Sequence, residues 1–357
     1  MAVMRRTGGH LLVQPLPDEH LFSVIARHHL VSAGRTAVDT LNRLDIEPGP
    51  LRSQNVFNAA FHSAVPSLAA GLGMSPGELV RRHSLLPLYR IALPANVLST
   101  WEKRWEIGDD ASDDAIATLN PNVLCHDASW RYCPRCAEED VLRHGVEYWH
   151  VLHQIPGLER CPLHAVPLRG RCPSCGFSQL KLNDLTLPRP RCGCEPERSL
   201  SSALPWDEWL GALLFRLRDA EGVSVEAIVK MLSEVLDLPH PLKVRDRPAT
   251  AERLKRIEAR TGEASLARIF HFYRTEGATF RGRARPNIVW TSLAESFGAA
   301  RHPLYFLVLL WSLRLTPDQV AAGSADVSEG ATLPAASAGL PAAAASETSS
   351  RRSGDRQ

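Results

Sequence analysis

No apolar run in this chain is long enough to cross a bilayer. The longest, Leu304–Leu313, falls well short of the ~20 residues a spanning helix needs and reads as a buried helix. The opening stretch offers only Leu11–Val13 as an apolar segment, too brief for a secretory signal, so the expected compartment is the cytoplasm. Nucleotide-hydrolysis chemistry is missing as well. There is no Gly-Lys dipeptide anywhere, hence no G-x-x-x-x-G-K-[ST] phosphate loop, and neither G-x-S-x-G nor H-E-x-x-H occurs. No residue is assigned a catalytic role, and the chain reads as a non-enzyme. The first 120 residues also lack the alternating apolar and polar runs of a large sheet, which leaves a mainly helical fold.

What is present is cysteine. Eight cysteines in a reducing compartment argue for metal binding rather than disulfides. Seven of them and one histidine fall into four close pairs: Cys133 with Cys136, Cys161 with His164, Cys172 with Cys175, and Cys192 with Cys194. A one- or two-residue spacer lets two soft ligands reach one ion from one tight turn, and two such pairs complete the tetrahedron that Zn²⁺ prefers. Pro134, Pro162 and Pro173 each follow the first ligand of a pair, as such turns require. Eight ligands predict two structural zinc ions, since sites filled by four protein donors leave no open position for catalysis. Sequential pairing joins Cys133, Cys136, Cys161 and His164 on one ion, and Cys172, Cys175, Cys192 and Cys194 on the other. Cross-braced pairing would join the first pair to the third and the second to the fourth. The sequential scheme is preferred because it closes shorter loops. Cys125 reads as a buried thiol, and His126, His144, His150 and His153 as structural imidazoles.

The net charge of +2 conceals a polarised distribution. Residues 241–290 hold 12 basic and 5 acidic side chains, while residues 201–240 hold 3 and 7. A localised basic stretch is either a solvated face or a nucleic-acid contact.

Along the chain, Pro17-Asp18-Glu19 predicts a helix start, followed by Leu21, Phe22, Ile25 and His29 at helical spacing, with Gly34 as the stop. Ser75-Pro76-Gly77-Glu78 predicts a second start, Ser75 capping and Glu78 reaching back. Residues 121–200 turn rich in Cys, Pro and Gly, with helical periodicity only around Val141–His153. Trp206, Trp209, Leu210, Leu213, Leu214 and Leu217 then form one apolar helical stripe, and Val225, Ile228, Val229, Leu232, Val235 and Leu236 another. From Ala321 onward small residues dominate, which predicts a disordered tail. The expected layout is a leader (1–15), an N-terminal helical domain (16–120), a double zinc module (121–200), a C-terminal helical domain (201–320) and the tail (321–357).

The ordered motifs resemble the TniQ family of bacterial transposon-encoded target-selection proteins, and within it the TnsD branch. The resemblance starts at Pro17-Asp18-Glu19-His20-Leu21-Phe22-Ser23-Val24-Ile25-Ala26-Arg27 and continues at His83-Ser84-Leu85-Leu86-Pro87-Leu88-Tyr89. Its most specific part is Trp130-Arg131-Tyr132-Cys133-Pro134-Arg135-Cys136, then Arg143-His144-Gly145, Tyr148-Trp149, Cys161-Pro162-Leu163-His164 and Leu168. Ile269-Phe270, Arg274, Phe280 and Ile288-Val289-Trp290 resemble a TnsD-type segment. Long TnsD-like members carry further helical DNA-binding sequence, whereas the ordered part of this chain is expected to end near residue 320.

The resemblance implies a bacterial, non-catalytic adaptor with helix-turn-helix elements flanking zinc modules. Such a protein marks an insertion site by binding double-stranded DNA or by docking on a CRISPR RNA-guided complex. It then recruits an AAA+ ATPase regulator and, through it, the transposase. DNA contact is accordingly expected from Lys243, Arg245, Arg247, Arg253, Lys255, Arg256 and Arg260, with Arg281, Arg283 and Arg285 as a second group, mostly to phosphates. Arg131, Arg135, Arg169 and Arg171 form a lesser candidate surface. The alternatives are a protein-interaction scaffold with little DNA affinity, or a zinc-containing DNA-binding regulator unrelated to transposition.

Overall fold

The computed structural model describes residues 13–32, 35–46, 51, 59–107, 129–172, 174–176, 178–179, 182–188, 204–220, 222–274, 279–280, 283–294 and 301–324. All of them lie within one compact unit, Met1–Ala325. Residues 325–357 of the tail expected over 321–357, together with Gly34, Cys125, His126, Cys192, Cys194 and Arg281, lie outside the described residues.

The fold is mainly helical. The first group comprises α1 (Leu21–Val31), α2 (Ala37–Arg43), α3 (Ala59–Leu72), α4 (Pro76–His83), α5 (Leu86–Arg90) and α6 (Ala95–Ile107). Helix α7 (Pro134–His144) belongs to the cysteine-bearing stretch. The last group is α8 (Pro205–Asp219), α9 (Val225–Val235), α10 (Arg247–Thr261), α11 (Glu263–Ile269), α12 (Ile288–Leu293), α13 (Pro303–Ser312) and α14 (Pro317–Ala322). Two short antiparallel strands, β1 (Thr279–Phe280) and β2 (Arg283–Ala284), intervene between α11 and α12.

Local chemistry explains most of the boundaries. Ser75 caps α4 by accepting the Glu78 N–H at 3.2 Å, with Pro76 at the first helical position. The Glu78 carboxylate pairs forward with Arg82. The first helix begins later than its sequence suggests: His20 is the cap and Leu21 the first helical residue, whereas Asp18 adopts a left-handed φ of 58°. Pro17, Asp18 and Glu19 are instead spent on a buried polar network described below. Helix α7 likewise starts earlier than Val141, because Cys133 caps it and Pro134 occupies its first position, and it stops at left-handed Gly145. Helix α14 reaches Ala322, past the expected start of the tail. A Thr316–Gln319 capping box and the burial of Val320 hold it there.

One continuous apolar core runs from Leu21 to Val320. Helix α13 is its most buried element, with Leu304 and Phe306 to Leu310 wholly inaccessible. Both predicted stripes face inward: Leu210, Leu213, Leu214 and Leu217 of α8 are buried, as are Ile228 and Leu232 of α9, while Val235 is exposed. No described helix is long and apolar enough to cross a membrane.

Candidate metal centre

The centre is assembled by two backbone turns brought together by an antiparallel bridge between residues 37 positions apart. Tyr132 and Arg169 exchange N–H···O bonds at 3.1 and 2.9 Å, placing Cys133 beside the second turn. That turn closes when the Cys161 N–H meets the Val166 carbonyl at 2.9 Å and the Ala165 N–H meets the Cys161 carbonyl at 2.8 Å, with Ala165 at φ 57°. In the first turn the Cys136 N–H points at Cys133 Sγ, 3.5 Å away. The dipole of α7, positive at this end, favours thiolate there.

Three sulfurs converge. Cys133, Cys136 and Cys161 are buried, and their Sγ atoms lie within 4.8 Å of one another and of a His153 ring nitrogen. Cys136 Sγ and Cys161 Sγ are 3.7 Å apart. His164 Nδ1 lies 3.6, 3.2 and 3.7 Å from Cys133, Cys136 and Cys161 Sγ respectively. A tetrahedral Zn²⁺ with Zn–S near 2.3 Å and Zn–N near 2.0 Å sets its donors about 3.5–3.8 Å apart, so this Cys₃His set fits a zinc-sized ion. His164 also has the bracing a metal-bound imidazole needs, since its Nε2 is 2.8 Å from Glu139 Oε1.

The protonation states show what a cation would relieve. Contacts with Cys133 and Cys161 push the Cys136 thiol up, while contacts with Cys133 and Cys136 pull the Cys161 thiol down. Cys133 and then Cys161, with Glu139 on the other ring nitrogen, push the His164 imidazole up to about 11. A cation bound among these sulfurs would neutralise the thiolates, and binding it must release the protons that the cysteines and His164 hold.

Cys133 and Cys136 therefore meet Cys161 and His164, the arrangement that sequential pairing requires. Cys172 and Cys175 form a separate turn, closed by the Gly176 N–H on the Cys172 carbonyl at 2.9 Å with Gly176 at φ 72°. Their expected partners Cys192 and Cys194 are outside the described residues. His153, read from sequence as a bystander, has its Nε2 3.5 Å from Cys136 Sγ. It is not closely spaced from any cysteine, so pair spacing gave no signal for it, and Glu139 likewise joins the site only through the geometry of α7. His144 stacks edge-on against Tyr148.

The centre is fastened to its surroundings on two sides. On one, the 148–152 segment pairs with the motif preceding α1: His20 N–H donates to the Trp149 carbonyl, Val151 N–H to the Asp18 carbonyl and Tyr148 Oη to the Pro17 carbonyl. Glu19, fully buried, accepts Arg27 through both oxygens at 2.8 and 2.9 Å, together with Ser23 Oγ. On the other side α8 lies against the Cys161–His164 turn. A Cβ on Gly211 would fall 2.8 Å from Pro162, Trp206 Nε1 donates to the Gly157 carbonyl, and Asp207 Oδ1 accepts the Glu159 N–H at 3.0 Å. Burial pushes the Asp207 carboxyl up to about 6.

The basic stretch divides by role. Lys243, Arg245, Arg247, Lys255, Arg256 and Arg260 are exposed on or just before α10. Arg253 donates to the Leu236 carbonyl and pairs with Asp237, and Arg260 donates to the Ser312 carbonyl. Arg285 pairs with Glu263 and lies over Tyr273, and Arg247 lies over Trp290. Arg283 belongs to β2, its side chain outside the described set. Of the lesser surface, Arg131 proves to be internal: it is 5% exposed and donates to the Ile155 carbonyl. Arg135 is exposed, and Arg171 donates to the Gly176 carbonyl.

No curated protein matches the chain. Residues 10–168, from the segment before α1 through the second turn of the metal centre, match the model of the TniQ family, which supports the resemblance carried by the motifs.

Proposed function

We propose that this chain is a non-catalytic target-site selector in DNA transposition, of the TnsD branch of the TniQ family. In this reading it binds double-stranded target DNA or a target-bound complex in the bacterial cytoplasm and recruits the transposon AAA+ ATPase, which engages the transposase. The observation that carries the reading is the family match over residues 10–168, a stretch that contains the Cys₃His cluster. The zinc role is structural: four protein donors leave no position for a substrate. A second ion at Cys172, Cys175, Cys192 and Cys194, and the division into 16–120, 121–200 and 201–320, belong to the same proposal.

The exposed group Lys243, Arg245, Lys255 and Arg256 supports a phosphate contact. The capture of Arg253, Arg260 and Arg285 by carbonyls and carboxylates favours a second reading, in which the chain is chiefly a protein-docking scaffold, including on a CRISPR RNA-guided complex. A gel shift on target-flanking DNA, alone and with the neighbouring ATPase, separates the two. Retarded DNA without partners supports direct selection, and a shift only with partners supports the scaffold. Absence of any complex with the ATPase, with or without DNA, would remove the transposition role.

A further inference from the structure

Five donors surround a centre that needs four. His164 touches all three sulfurs and is braced by Glu139, which closes the tetrahedron. His153 is the fifth: only 1% exposed, with Nε2 3.5 Å from Cys136 Sγ and Nδ1 buried without a hydrogen-bond partner. Its ring is packed 4.8 Å from that of His150, on the short turn Leu152–Gln154. The neighbouring Gln154 bonds both the N–H and the carbonyl of Arg131, so this turn is tied to the segment leading into Cys133.

Charge says what such an imidazole can do. Three thiolates and one dication leave a net negative charge among side chains at most 4% exposed, and a buried negative centre requires N–H donors. The Cys136 N–H serves Cys133. Were His153 itself a ligand through Nε2, its Nδ1 would have to carry the proton and bury an unpaired N–H, whereas ligating imidazoles normally donate that proton to a partner.

We infer that His153, with its proton on Nε2, donates a hydrogen bond to the Cys136 thiolate of the metal-loaded centre and acts as a positioning residue that tunes the site without ligating the ion. The inference rests on the metal reading of the cluster and is independent of DNA binding.

The test uses the full chain loaded with Zn²⁺ or Co²⁺, comparing wild type with His153→Phe, which removes the donor, His153→Gln, which restores an N–H, and His164→Ala. Circular dichroism confirms that each variant is folded. His153→Phe should keep the four-coordinate cobalt spectrum, shift its thiolate charge-transfer band, and bind zinc about 10–100-fold more weakly against a chromogenic chelator. His153→Gln should recover most of that affinity, and His164→Ala should lose the S₃N signature. X-ray absorption on zinc-loaded wild type should count one imidazole per chain, with sulfur as every other donor, a readout that needs no variant. Two imidazoles, or loss of the S₃N signature in His153→Phe but not in His164→Ala, would make His153 a ligand and overturn the inference. So would a His153→Phe protein with wild-type affinity and band position. A wild-type chain that binds neither metal would overturn the centre itself.

Discussion

Asp18 and Arg218 stand 200 positions apart in the chain and form a buried ion pair, their side chains 12% and 11% exposed. The pair ties the segment before α1 to α8. The Asp18 carboxylate also accepts the Leu152 N–H at 3.0 Å and faces His150, so one left-handed residue joins three stretches of sequence. Burial alone would raise its carboxyl, but Arg218 and His150 outweigh that and hold it well below the usual range.

Arg218→Met should therefore destabilise the protein by about 3–5 kcal/mol, because it leaves a buried carboxylate short of its cation. Adding Asp18→Asn should return part of that loss. Urea unfolding of the two single variants and the double variant measures the coupling, and strictly additive effects would contradict it.

Stability should fall on the alkaline side of neutrality. Burial disfavours the His150 cation, yet its hydrogen bonds to Asp140 at 2.8 Å and to Asp18 hold it up at about 9. Tyr148 stacks on its ring and His153 packs beside it. A folded value raised above the ordinary 6.5 contributes stability that is fully present below about pH 6.5 and disappears as pH rises through about 9, amounting to about 3 kcal/mol at most. Melting temperatures between pH 6 and 10 should show this decline, and His150→Gln should flatten it.

Chelation should unfold the stretch around the metal centre, because the turns at Cys133 and Cys161 bury few apolar groups of their own. Hydrogen exchange should accelerate over Tyr132–Leu168, and metal analysis should show Cys161→Ser losing one equivalent of zinc. An unchanged circular dichroism spectrum after complete metal removal would contradict a structural ion.

Gly211→Ala should destabilise by about 1–3 kcal/mol, since its Cβ would meet Pro162 at 2.8 Å and push α8 off the Cys161–His164 turn. Pro162→Gly should rescue part of the effect, because it removes both the Cγ and the Cβ that the new methyl would meet. A fully stable Gly211→Ala protein would show that this docking is loose.

Within the basic stretch, Lys255→Ala with Arg256→Ala should weaken DNA binding and reduce its salt dependence with little effect on stability. Arg253→Ala should do the reverse, because its guanidinium serves the Leu236 carbonyl. Equal effects of the two on DNA affinity would remove the distinction.

Much of the fold is legible from spacing. The α8 stripe, the Ser75 cap and the buried helix α13 follow from periodicity and from the short range of capping bonds, which depend on neighbours in sequence alone. The cysteine pairs are legible for the same reason, because a two-residue spacer already forces two ligands to one side of a turn. The start of α1 lies beyond local reach because Pro17, Asp18 and Glu19 look like a helix's first turn, whereas the helix begins at Leu21. Their side chains are instead claimed by Arg218, Arg27 and the 148–152 segment, partners invisible to any local rule.

By itself, then, the sequence determined the helical character, the places where thiols come in pairs and the localised positive charge, all properties of adjacent residues. Only the tertiary structure decided that Cys133 and Cys136 meet Cys161 and His164, that His153 arrives as a fifth donor, and that Arg131, Arg253 and Arg285 bond to the chain's own carbonyls and carboxylates. The physical reason is the same in each case: burial strips these groups of water, and a desolvated thiolate, imidazole or guanidinium must take its partners from whatever the packing brings within about 3–4 Å.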